Sequence, residues 1–559
     1  MKVTSSRRSL SILLGSALAA SGAAELSAQN ITWRNTAGQT TWSDGNSWTG
    51  GTAPADSLTT NTAIFTAVSN AQPVLTANRS VNGIDFQLTT GGATFSSSPG
   101  ATLTVGANGI DATTQLSGTS TVSVENITVG AASTWTLFSN TNTASTSTFT
   151  ISSNLNLNGQ NLIISPNRSS STGNLGIVNL TGVISGSPGA SGLQLYAGGI
   201  GRNRIFLTNA NSYTGLTQIR TAEVYANTLA NAGTNSSLGA GGDIVVGNNA
   251  SGASLVFQDL AADSTTNRRI QFRGTATSVY TLTNNSTLGR VAFTNADDIG
   301  TPTGVTTNVL GLRFNGTNTG LNTFGQPIVD RANSGITSVT KEQSGTWVLG
   351  GNNSYTGATT VSAGSLFING DQTSATGAVN VNGTSTLGGS GTIGGAVTLN
   401  ATSRLAPGAN GIGQLTLKNG LNVNVDSGGS LRFEVGGSGG VKGVDFDSLV
   451  VSAGAVSLGS NAALIITAAN GFDFAQVGAY DLYDFASAAT GNFASVNVGG
   501  TDFVNDSGIW TGSIGAYDYT FVTSTGVLSA VSAIPEPSSF ALLAGFAALG
   551  GVTLRRRRR

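Results

Sequence analysis

The sequence predicts an all-β protein built as a parallel solenoid, and three observations carry that expectation. Of its 559 residues 78 are Gly and only 9% are charged, so Asn, Ser and Thr must cover its surface. That composition suits long β-surfaces and turns and is poor for helices. Short apolar threads in period two recur between glycine corners such as Gly364, Asn382-Gly383, Gly394-Gly395, Asn410-Gly411 and Gly428-Gly429. The spacing of these threads is near-constant. Taking the last apolar residue of Thr360-Val361, Val379–Val381, Val397–Leu399, Leu415–Leu417 and Leu431–Phe433, the steps are 20, 18, 18 and 16. The runs at 366–368 and 423–425 are set aside as second strands of a coil. A unit this short buries its apolar face only by stacking on a copy. A β-sandwich is the competing architecture, but sandwiches seldom repeat one corner at a near-constant step.

Composition also excludes functions. The net charge is −1 with no basic patch in the body, which argues against nucleic-acid binding through phosphates. No Cys and no His are present, which removes disulfides, cysteine-held zinc, thiol nucleophiles and the commonest general base. A hydrophobic content of 39% is enough to fill a core.

Taken in order, residues 1–28 read as a secretory signal. Lys2, Arg7 and Arg8 are followed by an apolar run and by small residues, with cleavage expected after Ala24 or Ala28. Residues 29–66 hold Trp33, Trp42 and Trp48 and read as a cap over the open first coil. A sugar-stacking platform is the alternative. Residues 67–469 read as the solenoid, clearest at 203–231 and 339–370. There Ser212-Tyr-Thr-Gly215 and Ser354-Tyr-Thr-Gly357 each open a turn, strand, glycine corner and second strand. The aromatic-rich stretch 470–530 reads as a closing module. Residues 534–559 join a Pro-Glu-Pro breaker, an apolar helix at 540–554 and an arginine tail at 555–559. That apolar run is short for a stable span of about 20 residues. Five arginines would hold its far end in the cytoplasm.

Two resemblances follow from these residues. Pro535, Glu536 and Pro537, the apolar run and Arg555, Arg556, Arg557, Arg558 and Arg559 together resemble the PEP-CTERM sorting signal of Gram-negative bacteria. This implies processing by an exosortase at the inner membrane, contact with the membrane only through the transient C-terminal helix, and release or re-attachment outside. Lys341–Gly350 running into Asn353–Leu366, with Leu387–Leu399 through Leu405-Ala-Pro-Gly408, looks like the autotransporter-associated β-strand repeat. That family implies a right-handed parallel β-helix, secreted or displayed on the surface. Autotransporters end in a membrane β-barrel; here the anchor-like signal stands in that place, so self-transport is not implied.

Candidate chemistry is sparse. Asp445 and Asp447, expected to share a strand face, with Glu434 nearby, form the best carboxylate group for a glycosidase, a lyase or a calcium site. Asp473, Asp481 and Asp484 form a looser one. The expectation is nonetheless no catalytic residue, no metal and no cofactor. The chain reads as an exported structural or interaction protein of the cell surface or matrix, associating with exopolysaccharide or neighbouring cells. The alternatives are a polysaccharide-active enzyme, or a specific adhesin using a surface patch such as Trp42 and Trp48. With about 20 residues per coil over about 450 residues, the rod is expected to be roughly 110 Å long.

Overall fold

The computed structural model describes residues 29–533, apart from 89–90, 115–117, 139–146, 167–174, 197–202, 248–251, 275–276, 301–308, 332–334 and 424–427. The signal-peptide residues Ala24 and Ala28 lie outside the described residues. So do Pro535, Glu536, Pro537 and Arg555 to Arg559.

The architecture is a β-solenoid. Seventeen strands form one open parallel ladder along the rod, from Val74–Leu75 to Thr490–Gly491, one strand from each coil. In the first half a second parallel sheet climbs beside it, from Gln29–Thr32 to Ile270–Phe272. In the second half a new sheet takes over, from Ser264–Thr266 to Ser495–Val498. A third face joins there: Asp371–Gln372, Thr392–Ile393, Gln414–Leu417, Ser448–Val451 and Tyr483–Phe485. Helix is confined, among the described residues, to one turn at Gly45–Ser47, and none is long and apolar enough to cross a membrane.

Coil length corrects the near-constant step. Val339 pairs with Thr359, Thr359 with Val379 and Val379 with Val397, which are steps of 20, 20 and 18. Val397 then pairs with Leu421, 24 residues on, and Leu421 with Val456, 35 on. The later steps of 18 and 16 mix faces. Leu417 stacks on Ile393 in the third face, and Phe433 on Ile466 in the second. Val423, set aside from the series, is the true successor of Leu399. Longer coils also make a shorter rod: seventeen strands at about 4.8 Å per step span about 80 Å.

The core is one cluster running the length of the molecule. Period-two alternation sends every second residue inward, and parallel register places each on its counterpart in the next coil. Trp347, Leu366, Leu387, Leu405, Leu431, Leu464 and Val496 form one such column, all buried. Fully burying one of these leucines stabilises by about 1.5–3 kcal/mol.

The corners explain the repeated Asn-Ser-Tyr-Thr-Gly. Asn211 and Asn353 reach the coil beneath, their Oδ1 atoms accepting from the amides of Ile184 (2.8 Å) and Ile328 (2.7 Å). Tyr213 and Tyr355 point inward, and each hydroxyl bonds the threonine four residues on, Thr217 at 2.8 Å and Thr359 at 2.6 Å. Burial pushes both phenols up to about 12. The glycines permit close approach: a Cβ on Gly377 would collide with the carbonyl of Gly357, and one on Gly395 with that of Gly377. Glycine therefore stacks on glycine where coils turn. Two buried cations hold further corners. Lys341 donates to the carbonyls of Glu342, Gln343 and Ala363, at 2.7, 2.7 and 3.1 Å. Arg268 donates to those of Gly242, Leu238 and Gly239.

Both ends of the core are covered. Trp33, Trp42 and Trp48 are all buried, with Trp48 edge-on to Trp33 at 5.0 Å and to Trp42 at 4.9 Å; Trp42 stacks on Phe95 at 5.3 Å. At the other end Gly478–Asp481 joins an antiparallel sheet with Val504–Asp506, Ile509–Ile514, Tyr517–Val522 and Val527–Ser532. Parallel coil strands continue past residue 469, to Tyr483–Phe485, Thr490–Gly491 and Ser495–Val498. The last coil and the antiparallel sheet are therefore interleaved in sequence.

A candidate binding cleft beside Asp447 and Glu434

The candidate carboxylates fall where the solenoid is interrupted. Strand Ser430–Val435 of the second face and Ser448–Val451 of the third are separated by the glycine-rich excursion 436–447. Asp445 lies in the turn of that excursion, its carboxylate accepting from the amide of Val441 at 2.8 Å. Asp447 lies at its base, 1% exposed, accepting from the amides of Gly413 and Glu434, both at 2.8 Å. Neither residue is in a strand, so the expected shared strand face does not exist. A glycine-rich excursion, which period two cannot describe, separates them in environment.

Asp447 and Glu434 do meet. Both line a cleft of about 210 Å³ together with Phe367, Thr386, Arg432 and Thr467, drawn from successive coils of the second face. Burial pushes the Asp447 carboxyl up to about 7, against the pull of its two amide donors, and Glu434 adds to the rise. Burial, with Arg404 nearby, lowers Arg432, whose Nε has no hydrogen-bond partner among the described residues. The cleft thus offers a carboxylate, an undersupplied guanidinium donor, two hydroxyls and an aromatic ring. Those groups suit a polar ring such as a sugar. Because both Asp447 oxygens are held by backbone amides, this residue works first as a staple between corner and strand.

The looser group splits, with Asp473 apart and Asp481 and Asp484 together on one lysine. Asp473 caps a turn through the amide of Ala475, while Asp481 and Asp484 grip Lys442 at 2.7 and 2.5 Å. No cluster of three metal-ligating carboxylates occurs among the described residues. The tryptophans offer no face to sugar. Trp33 and Trp48 bury their indole N–H groups on the carbonyls of Ala71 and Trp42. A stacking platform, or a surface patch at Trp42 and Trp48, is overturned by that burial. Arg432, Thr386, Thr467 and Phe367 escaped the sequence reading because adjacency across coils leaves no local motif.

Comparison with known proteins agrees with the repeat units. Residues 205–222 and 339–368 match the passenger-associated transport repeat family. A stretch of 79 residues is 49% identical to the adhesin BmaC autotransporter of Brucella suis biovar 1 (strain 1330), covering 14% of this chain and 2% of that protein. The chain therefore spans only a small fraction of that relative's length. Both similarities fit an exported, adhesin-like surface protein.

Proposed function

We propose that this protein is an exported, elongated adhesive rod of the bacterial surface or matrix, which associates with exopolysaccharide or neighbouring cells. The observation that carries the reading is the continuity of the stack. The segments matched by the passenger repeat are coils within one uninterrupted parallel ladder, beside coils of the same build. Such a ladder repeats its outward groups at each coil, so weak contacts to a polymer add along it. On this reading, Pro535-Glu-Pro537, the apolar run 540–554 and Arg555 to Arg559 form a sorting signal cut by an exosortase-type enzyme.

Mass spectrometry of the C-terminal peptide from membrane and extracellular fractions tests the sorting step. A mature chain ending at or before Pro535-Glu-Pro537 outside the cell is expected. An intact arginine tail in the membrane fraction would make the tail an ordinary anchor. Adhesion of cells to a purified-protein surface tests the rest.

The cleft favours one second reading, a polysaccharide-active enzyme using Glu434 and Asp447. It requires reducing ends or unsaturated products from a glycan panel, lost in Glu434→Gln.

A further inference from the structure

We infer that the outer face of the first-half sheet carries a groove for one strand of uncharged linear polysaccharide. This rests on the adhesive reading above and names the ligand class and its track. Strands Thr102–Asp111, Ser133–Leu137, Leu162–Pro166 and Leu193–Leu195 lie side by side. Across them runs a groove of about 500 Å³, lined by Ala107, Ala132, Thr134, Asn161, Ile163 and Gln194 among others. Register aligns Thr134, Ile163, Gln194 and Gln218 in one outward column, so the groove follows the rod axis.

Three features select the occupant. None of the lining residues is ionisable, so nothing in the groove pairs with a uronate, sulfate or phosphate. Thr134, Asn161 and Gln194 bring a hydroxyl and two amides from three neighbouring coils, about 4.8 Å apart, so the polar groups lie in a line that an extended polymer can follow. Ile163 points outward yet is half-buried, an apolar floor between polar walls, as the two faces of a sugar ring require. At the far end Arg220, which does not line the groove, donates to Gln194 at 2.8 Å and lies 4.8 Å over the Tyr196 ring; no carboxylate pairs with it among the described residues, and the acidic probe below reads any pull it exerts. Small side chains at Ala107 and Ala132 leave the wall open.

Affinity electrophoresis of the full chain tests this, with hydroxyethylcellulose and dextran as uncharged probes and alginate as the acidic one. Thr134 is exposed, so Thr134→Arg fills the groove without entering the core; Thr398→Arg, on the outer face of the seventeen-strand ladder, is the control. The expected result is retardation of the wild type by an uncharged probe, weakened at least tenfold in Thr134→Arg and unchanged in Thr398→Arg, with an unaltered melting curve. Equal retardation of Thr134→Arg and wild type overturns the groove while leaving the adhesive reading intact. Retardation by alginate alone, or by no probe, also overturns the groove. Loss of cell adhesion by the wild-type protein is what would remove the adhesive reading itself.

Discussion

Lys341 is an ammonium group inside a solenoid, and it stays there because three corner carbonyls replace its water. Burial lowers its pKa to about 8. Lys341→Met would fill the same space but leave those carbonyls unpaired, at a cost of about 3 kcal/mol. Faster hydrogen exchange across 339–368, with distant coils unchanged, is the expected outcome. Asp447 supplies a pH signature. Its carboxyl titrates near 7 when folded, against 3.8 as the ordinary value. The native state therefore holds the proton more tightly than the unfolded chain does. Stability from this group is fully present below about pH 4 and is lost as pH rises through 7, by about 1.4 kcal/mol per unit in between. Urea unfolding between pH 4 and 7, monitored in the coils around 413–451, should show that slope in wild type and lose it in Asp447→Asn.

Among elements, the short coil at 339–370 was legible because alternation, corner and repeat coincide there. Its strands Thr359–Val361 and Ser365–Ile368 lie where period two put them. The longer coils were not legible. Excursions such as 436–447 lengthen a coil without altering the strands beside it, so apolar spacing in sequence no longer reports which face a thread joins. The glycine rows give a test at this scale. Gly377→Ala puts a methyl against the Gly357 carbonyl, so the corner must open. New protease cleavage near 376–378 is expected, with Gly383→Ala as the milder comparison: its methyl meets nothing closer than 3.8 Å, and its cost is only that of placing Ala at a φ of +60°. In the leucine column Leu387→Ala should cost about 2–5 kcal/mol, since Leu366 below and Leu405 above are fixed by their own ladders. Because each coil contacts only its neighbours, unfolding should become stepwise, visible as split transitions in calorimetry.

For the whole molecule, the end structures matter most. A parallel stack leaves an open core and a free ladder at each end, which invite further chains to pair. The buried tryptophan cluster closes the first coil, and the antiparallel sheet covers the last. Small-angle scattering should therefore give a monomer with a longest dimension of at least about 80 Å. Trp48→Ala, which empties a fully buried indole site next to Trp33 and Trp42, should cost about 3–5 kcal/mol and promote concentration-dependent association.

Sequence by itself determined the fold class, the corner motif and the inward threads, since alternation and glycine placement are local properties of the chain. It also determined what chemistry is missing, since a side chain that is not encoded cannot act. Tertiary structure decided the rest. Coil lengths, the change of partner sheets near residue 270, the union of Glu434, Arg432 and Asp447 in one cleft, and the track through Thr134, Ile163 and Gln194 all depend on register between coils. Register joins residues about 20 to 35 apart through hydrogen bonds that no local pattern specifies. Burial likewise turned the tryptophans from a possible sugar platform into a lid, because the first coil had no other cover.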